Sequence, residues 1–545
     1  MTELIRKTVG DLLAEKALEM PDHDALVYPD RGLRYSYREF NSYCEKLAKG
    51  LMALGIEKGE NVAVWASNIP EWVSLQYGTG KMGAVLVTVN TNYRSAELEY
   101  LLRQSDATTL FLIEDYKGNS YIDTIYELCP ELETSEPGQL ESKKLPLLKN
   151  VIVFSEKKYN GAYNWSDVMN MSEKISDDVL REQTASLEPD DVINMQYTSG
   201  TTGFPKGVML THSNLTNNAY NIAQCMELTQ KDRLCIPVPF FHCFGCVIGT
   251  LAAVSVGATM VPVQEFDPEV VLRTVEQEKC TALHGVPTMF IAELNHPNFE
   301  NYDLSTLRTG VMAGSNCPVE VMKNVMNKMN MTEITICYGQ TEASPVITQT
   351  RTNDPVSLRV ETVGRALPNV EVKIVHPGTT QEVPYNQQGE LCTRGYHVMK
   401  GYYKNPDATR DAIDEDGWLH TGDLAVMDSN GYCRITGRLK DMIIRGGENI
   451  YPREIEEFLY THPKVLDAQI VGVPDEKYGE EVMAWIILKD GVTATVEEIK
   501  EYFKGRISHH KIPRHIFFTE AYPMTASGKI QKFKLREESI NLLTH

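Results

Sequence analysis

The chain has 545 residues and a formal net charge of −21, so it is too long for one hydrophobic core, and two or more domains are expected. This acidic balance, without any basic patch, excludes nucleic acid as a partner. Hydrophobic residues make up 42% of the chain, but no apolar stretch is long enough to cross a bilayer, and the charged N-terminal segment lacks a secretory core. These features predict a globular enzyme without a transmembrane segment, resident in the cytoplasm.

The first predicted elements alternate between helix and strand. Ser36 and Glu39 have the spacing of a capping box, and the apolar residues that follow recur at helical intervals up to Gly55. Such alternation is typical of parallel sheets covered by helices. Short apolar runs predict the strands Val62–Trp65, Ala84–Val89, Thr108–Ile113 and Val151–Phe154.

The segment YTSGTTGFPKG, residues 197–207, has the composition of a polyphosphate-binding loop. Glycines allow backbone N–H groups to converge on an anion, while hydroxyls and Lys206 add donors and a positive charge. Lys206 is followed by Gly207 instead of Ser or Thr, so the segment is not a Walker sequence. The apolar runs Asp191–Tyr197 and Gly207–Leu210 on either side predict strands, and a nucleotide is the expected ligand.

Cysteine usage favours buried thiols over a disulfide framework. The 11 cysteines have no regular spacing. Cys243 and Cys246 form a CxxC pair directly after His242, but the surroundings are apolar and no second pair completes a metal site.

A hairpin is predicted near residue 430. Leu424–Met427 and Tyr432–Thr436 are strand-like, and Asn430-Gly431 between them is a strong turn signal. With those two residues as the turn, Asp423 lies opposite Arg438 on one face of the ribbon. The pair is either a simple salt bridge or part of a ligand site.

The last hundred or so residues predict a compact α+β domain. Glu454–Tyr460 is helical, Thr495 with Glu498 caps a further helix, and Val465–Val473 and Glu481–Leu488 are strand-like.

Six segments in this order resemble the AMP-forming acyl-CoA synthetases, in the adenylate-forming superfamily that also contains firefly luciferase and the adenylation domains of peptide synthetases. The likeness covers nearly the whole chain and is strongest to medium-chain fatty acyl-CoA synthetases. The matching segments are Tyr197–Gly207, Pro239–Gly245 (PFFHCFG), Tyr338–Glu342 (YGQTE), Thr421–Asp423 (TGD), Gly437–Asp441 with Arg445–Pro452, and Pro523–Lys532 (PMTASGKIQK).

The resemblance implies an α/β fold in two domains. Residues 1–439 would form a large N-terminal domain of helix-flanked β-sheets with a small β-barrel-like part. Residues 440–545 would form a smaller mobile α+β domain that swings about Lys440. A homo-oligomer is compatible with this organisation.

The resemblance also implies two reactions with ATP, Mg²⁺ and coenzyme A: a fatty acid and ATP give acyl-AMP and pyrophosphate, and the acyl group then passes to coenzyme A. Lys529 would bridge the carboxylate and the α-phosphate, Thr341 would contact that phosphate, Glu342 and Thr202 would hold magnesium, and His242 would lie at the acyl entrance. The nucleotide residues would be Thr198, Ser199, Gly200, Thr201, Thr202, Gly203, Phe204, Pro205, Lys206, Gly314, Ser315, Asn316, Tyr338, Gly339, Gln340, Asp423, Arg438 and Lys440. Coenzyme A would pass beside Gly446 and Gly447.

The resemblance leaves several kinds of carboxylic acid open as the acyl substrate. The candidate acyl pocket, which consists of Phe244, Val247, Ile248, Val311 and Met312, offers apolar surface and no cation for a second carboxylate. A medium to long fatty acid is therefore predicted, with aryl acids and a luciferase-like oxidase as alternatives. A peptide-synthetase unit would need an acidic residue near Phe240–Phe244. An inactive nucleotide-binding regulator would be expected to lack Glu342 or Lys529.

Overall fold

The computed structural model describes residues 3–198, 205–315, 317–446, 448–504, 506–525 and 530–544. The fold is mixed α/β, with a large N-terminal domain built on sheets and a smaller C-terminal domain, which confirms the predicted fold class. Backbone contacts divide the chain into two compact units: Met1–Glu371 with Arg394–Leu419, and Val372–Thr393 with His420–His545. The predicted boundary at Lys440 stays a prediction.

The helices and strands have the following bounds. The helices are α1 Val9–Glu19, α2 Tyr37–Ala53, α3 Pro70–Met82, α4 Ser95–Gln104, α5 Tyr121–Leu128, α6 Trp165–Met171, α7 Asp177–Ala185, α8 His212–Cys225, α9 Ala252–Val256, α10 Pro268–Glu278, α11 Pro287–Leu294, α12 Val319–Lys328, α13 Val356–Glu361, α14 Pro406–Ala412, α15 Pro452–Tyr460, α16 Val496–Phe503 and α17 Lys532–Thr544. The strands up to residue 312 are β1 Asp24–Tyr28, β2 Leu33–Ser36, β3 Asn61–Trp65, β4 Val85–Thr88, β5 Thr109–Leu112, β6 Asp115–Tyr116, β7 Asn119–Ser120, β8 Asn150–Val153, β9 Tyr163–Asn164, β10 Val192–Thr198, β11 Lys206–Thr211, β12 Arg233–Ile236, β13 Thr259–Pro262, β14 Ala282–Leu283 and β15 Val311–Met312. The remaining strands are β16 Thr335–Gly339, β17 Val346–Gln349, β18 Arg365–Ala366, β19 Val370–Val375, β20 Gln388–Gly395, β21 Gly401–Tyr402, β22 Leu419–Met427, β23 Cys433–Arg438, β24 Ile443–Arg445, β25 Glu448–Ile450, β26 Val465–Asp475, β27 Gly479–Leu488 and β28 His515–Phe518.

The first unit is organised around an eight-stranded sheet in the order β21-β11-β10-β4-β3-β5-β8-β9. Its central pairs, β4 with β3, β3 with β5 and β5 with β8, are parallel, as the alternating pattern predicts. All four strands predicted there exist, with ends that differ by one residue or so. Their buried aliphatic side chains form one core with α4 and α5, because parallel strands are covered on both faces.

A second sheet in this unit has the order β14-β12-β13-β1-β2. Strand β13 pairs in parallel with both β1 and β12. Its core includes Phe290, Leu272 and Val275 from the helices α11 and α10. The third sheet, β15-β16-β17-β18, places several candidate site residues at its ends.

The predicted capping box at the start of α2 is confirmed. The Ser36 hydroxyl accepts a hydrogen bond from the Glu39 amide at 3.3 Å, and the Glu39 carboxylate accepts one from the Ser36 amide at 2.8 Å. These two bonds satisfy N–H groups that the first helical turn leaves unpaired. The apolar face that the sequence predicts is buried down to Leu51.

The second unit contains a four-stranded sheet in the order β19-β20-β22-β23. It also contains a five-stranded sheet in which four strands have the order β25-β24-β27-β26 and β28 pairs with β27. Ile455, Leu459 and Phe503 from α15 and α16 pack against the second of these sheets. Helix α16 begins at the predicted cap, where the Thr495 hydroxyl accepts from the Glu498 amide at 3.1 Å. None of the helices in the described residues has the length and apolar character needed to span a bilayer.

Candidate active site

The glycine-rich segment connects two paired strands, β10 and β11. The strands pair antiparallel up to Thr198 opposite Lys206, and the Pro205 carbonyl accepts a hydrogen bond from the Tyr100 hydroxyl at 2.9 Å. The described residues on both sides of the predicted phosphate loop are therefore held in place. The other loop residues lie outside the described residues, so their roles stay predictions: Ser199, Gly200, Thr201, Thr202, Gly203 and Phe204.

Tyr402 links two of the predicted site residues. Its hydroxyl donates to Glu342 Oε1 at 2.8 Å, and Lys206 Nζ lies 4.5 Å from the centroid of its ring. Burial, together with the Glu342 carboxylate, raises the pKa of Tyr402, so the phenol stays protonated and can donate. The loop lysine and the candidate magnesium ligand thus share one aromatic support.

Sequence reasoning missed Tyr402 because the contact depends on long-range pairing. Strand β21 adds to the edge of the eight-stranded sheet, with Tyr402 opposite Val208 and Gly401 opposite Met209. Nearly two hundred residues separate these partners, so no local pattern indicates the pairing. The one available signal was the Gly-Tyr-Tyr sequence in a segment otherwise rich in turn residues.

Thr341 and Glu342 lie in a short 3₁₀ helix directly after β16. Backbone bonds fix this turn: the Met399 amide donates to the Glu342 carbonyl at 2.9 Å, and the Gln340 amide donates to the Pro345 carbonyl at 2.9 Å. At Gly339, a Cβ atom would lie 1.8 Å from the Pro345 carbonyl oxygen, so only glycine fits. The tight turn holds the Glu342 carboxylate at the end of the strand.

The candidate adenine residues occupy the ends of two parallel strands. Strand β15 pairs in parallel with β16, with Met312 opposite Ile336. Gly314 and Ser315 follow β15, and Tyr338 lies near the end of β16, so these residues share one edge of the sheet. Carboxyl ends of parallel strands are common ligand sites in α/β proteins. Asn316 lies outside the described residues.

His242 precedes a π-helix, Phe244–Leu251. Its Nδ1 accepts a hydrogen bond from the Phe244 amide at 3.1 Å. An amide can donate only to an unprotonated nitrogen, so the neutral ring carries its proton on Nε2. The π-helix is wider than an α-helix and is a conformation often found at functional sites.

The candidate acyl pocket residues Phe244, Val247, Ile248, Val311 and Met312 are all buried. His284, which sequence reasoning missed, joins the two segments that supply them: its Nδ1 accepts from the Val311 amide at 3.1 Å and its Nε2 lies 3.0 Å from the Ile248 carbonyl. Burial lowers the pKa of His284 to about 4. The ring is therefore neutral and adds no charge to the apolar lining.

The CxxC pair is a buried packing feature in the described structure. Gln196 on β10 engages both sulfur atoms, with Cys243 Sγ and Cys246 Sγ each 3.0 Å from its side-chain amide. Burial raises the pKa of the Cys246 thiol to about 12, and that of Cys243 also lies well above its usual value. Thiols in this state are poor nucleophiles and poor metal ligands.

The predicted pairing of Asp423 with Arg438 is confirmed. Arg438 Nε lies 2.8 Å from Asp423 Oδ1, and the aspartate is buried while the arginine is 38% exposed. The Asp423 amide donates to the Thr421 hydroxyl at 3.1 Å, and that hydroxyl donates to the Leu391 carbonyl at 2.7 Å. The TGD segment is thus tied to the neighbouring strand β20.

The turn that produces this pair differs from the prediction. The last strand pair is Met427 with Cys433, so the connection spans residues 428–432 instead of the two residues Asn430-Gly431. That shifts the register by one residue, and a bulge at Thr436 shifts it back. The two departures cancel, which is why the predicted partners meet.

The remaining predicted residues lie further along the second unit. Lys440 is exposed in a 3₁₀ turn, Leu439–Asp441. Gly446 has φ of +60° and its amide donates to the Tyr478 carbonyl at 2.8 Å, a conformation that favours glycine. Gly447 and Lys529 lie outside the described residues. Their roles stay predictions.

Comparisons with known proteins agree with the motifs. The family model for the AMP-binding enzyme matches residues 13–403, and the model for the AMP-binding enzyme C-terminal domain matches residues 454–529. The putative acyl-CoA synthetase YngI of Bacillus subtilis is 66% identical over 542 residues, covering 99% of both chains. The mitochondrial medium-chain acyl-CoA ligase ACSF2 of Danio rerio is 44% identical over 535 residues, covering 98% of this chain and 88% of that one.

A solved structure with a similar fold is the anthranilate CoA ligase AuaEII in complex with anthranoyl-AMP. It is 27% identical, with a TM-score of 0.85 over 100% of this chain and 99% of that chain. The chain therefore belongs to the AMP-binding enzyme family, as an ATP-dependent, AMP-forming ligase of the acyl-CoA synthetase type.

Proposed function

We propose that the enzyme activates a medium- to long-chain fatty acid with ATP and transfers the acyl group to coenzyme A. The observation that supports this substrate is the buried lining of the candidate acyl pocket, which is apolar and contains a neutral histidine, His284. Such a lining favours an alkyl chain over a second carboxylate, which would have to be buried without a partner. The similarity to medium-chain ligases agrees with it.

In the first step, the fatty carboxylate attacks the α-phosphate of ATP and pyrophosphate leaves. Two anions must approach in line, so positioning and charge neutralisation supply most of the rate. Lys529 would neutralise charge between the carboxylate and the α-phosphate, Thr341 would donate to that phosphate, and Lys206 with the loop hydroxyls would hold the departing pyrophosphate.

Glu342 is suited to bind a magnesium ion. Its Oε1 accepts a hydrogen bond from the Tyr402 hydroxyl, which orients the carboxylate, and carboxylate oxygen is the donor that Mg²⁺ prefers. When bound there with the help of Thr202, the ion would neutralise phosphate oxygens. Asp423 and Arg438 would hold the ribose, and Gly314, Ser315 and Tyr338 the adenine.

In the second step, the thiol of coenzyme A attacks the carbonyl carbon of the acyl adenylate and AMP leaves. His242 would lie near that carbonyl. Lys529 would obstruct the thiol, so a swing of the C-terminal domain about Lys440 would remove it and bring Gly446 and Gly447 beside the pantetheine chain.

To test the substrate, we would measure the rate of CoA-dependent AMP formation with acids from acetate to palmitate and with benzoate and cinnamate. We expect the highest kcat/KM among the medium to long alkyl acids. A maximum on benzoate or cinnamate would contradict the fatty acyl substrate but leave the ligase chemistry intact. Absence of AMP with every acid would contradict the ligase proposal itself.

An aryl acid is the second candidate substrate, because the similar structure of AuaEII holds anthranoyl-AMP. The same panel separates the two candidates. Cytoplasmic residence and a homo-oligomeric state remain predictions from the sequence, and size-exclusion chromatography with light scattering would test the latter.

A further inference from the structure

Three potential metal ligands converge in the four-stranded sheet of the second unit. Glu390 and Cys392 are two residues apart on β20, so their side chains lie on the same face, and His420 lies on the neighbouring strand β22. Among the residues that the structure describes, this is the group of His, Cys and acidic side chains whose ligand atoms all lie within 4.8 Å of one another. We propose that Glu390, Cys392 and His420 form a binding site for a thiophilic divalent cation such as Zn²⁺.

The two distances from His420 Nδ1 match the edges of a zinc tetrahedron. His420 Nδ1 lies 3.4 Å from Cys392 Sγ and 3.2 Å from Glu390 Oε2. With Zn–S near 2.3 Å and Zn–N and Zn–O near 2.1 Å, tetrahedral angles give edges of about 3.6 Å for N···S and about 3.4 Å for N···O. Both observed separations lie within about 0.2 Å of these values, so small side-chain movements would complete the site.

Charge and burial also suit zinc. Glu390 and Cys392 are buried, while the His420 side chain is 20% exposed and gives access from solvent. Binding would release the Cys392 thiol proton to solvent, and the neutral His420 ring would exchange its proton from Nδ1 to Nε2 through solvent, which frees Nδ1 to bind the ion. One thiolate, one carboxylate and one neutral imidazole then balance the two positive charges, which avoids a net buried charge. The fourth position would be taken by water.

The donor set separates this cation from the magnesium of the reaction. Thiolate and imidazole select soft or borderline ions, whereas Mg²⁺ requires oxygen ligands in octahedral geometry. We therefore expect millimolar Mg²⁺ not to displace the ion. Without a cation, His420 Nδ1 can donate to Glu390 Oε2, so the cluster is held together in the metal-free protein as well.

Zinc bound at this site would affect the neighbouring TGD segment, which is proposed to hold the nucleotide. This part of the inference rests on the proposed function. Glu390 Oε1 accepts a hydrogen bond from the Gly422 amide at 3.1 Å, next to Asp423. A cation on Oε2 would withdraw charge from that acceptor, weaken the bond and loosen the TGD segment. We expect zinc to lower the affinity of the protein for AMP.

The test is binding of Zn²⁺ and Co²⁺ to the full-length, chelator-treated protein. We expect one high-affinity zinc ion by native mass spectrometry and competition titration, and a cobalt complex with a thiolate-to-metal absorption band. Cys392→Ser should abolish that band and weaken zinc binding by more than about 100-fold, since even an outer-shell partner contributes roughly 10–100-fold. His420→Gln should weaken zinc binding by a similar factor. This variant tests the site independently if Cys392→Ser folds poorly.

Cys433→Ser is the matched control, because Cys433 is a buried cysteine in the same sheet outside the cluster. It should bind zinc as the unaltered protein does. Loss of binding in the control, unchanged binding in Cys392→Ser and His420→Gln, or absence of any high-affinity ion would overturn the site. Zinc binding with unchanged AMP affinity would overturn only the coupling, and neither result depends on whether acids are activated.

Discussion

At the scale of single residues, the hydroxyl of Tyr402 is expected to contribute to adenylation by orienting Glu342. Tyr402→Phe removes the donor to Glu342 Oε1 but keeps the ring below Lys206. A hydrogen bond to a charged group contributes about 1.5 kcal/mol or more, so ATP–pyrophosphate exchange should fall about tenfold.

Tyr403→Phe is the control for this change, since the adjacent hydroxyl donates to Asp106 instead, at 2.9 Å. Its exchange rate should stay near that of the unaltered enzyme. Equal losses in both variants would show that the Tyr402 effect is structural.

Lys529 is expected to act in the first half-reaction only. Lys529→Ala should raise the activation free energy of pyrophosphate exchange by about 3 kcal/mol, the order expected for removing a transition-state donor. CoA-dependent consumption of supplied acyl-AMP should continue. The exposed Lys534 provides the control Lys534→Ala, and normal exchange in Lys529→Ala would contradict the assignment.

At the scale of secondary structure, the π-helix depends on a polar side chain from outside it, that of Gln76 on α3. The Cys246 carbonyl accepts from Gln76 Nε2 at 2.8 Å and from the Thr250 hydroxyl at 2.7 Å. Gln76→Leu removes the donor to this buried carbonyl and the acceptor that Gln76 Oε1 offers to the Thr250 hydroxyl, so the free energy of unfolding should fall by about 1–2 kcal/mol in urea titrations. The exposed change Gln230→Leu should stay within about 0.5 kcal/mol, and a similar loss there would contradict the argument.

Elements were predictable from the sequence where the determining contacts are local. The Ser36–Glu39 cap lies within one helical turn, and the parallel strands are short apolar runs whose positions the structure confirms. The Asp423–Arg438 pair was also found, although its turn and bulge were not, because two register shifts cancel. Tyr402, His284 and the Gln196 contacts were missed because each depends on partners that only the folded sheet brings together.

At the scale of the whole molecule, buried histidines should make stability depend on pH. Desolvation lowers the pKa of His212 and His284 to about 4 and that of His397 to about 3, from 6.5. Below pH 6.5 the unfolded chain binds protons that the folded chain does not, so the free energy of unfolding should fall as pH drops from about 6.5 to about 4. Above pH 6.5 this contribution is fully present.

Urea unfolding at several pH values measures this slope. His284→Gln can keep both hydrogen bonds, since an amide both accepts and donates, but it cannot titrate. The slope should therefore be shallower in this variant. An unchanged slope would show that His284 is not protonated on unfolding in this range.

One contact near residue 440 has a consequence for the catalytic cycle. The Arg453 guanidinium donates to the carbonyl of Ile435 on β23, and these residues lie on opposite sides of the proposed pivot. If the C-terminal segment rotates about Lys440, this hydrogen bond would form in one orientation and break in the other. The balance between the two orientations would then be adjustable at a single guanidinium.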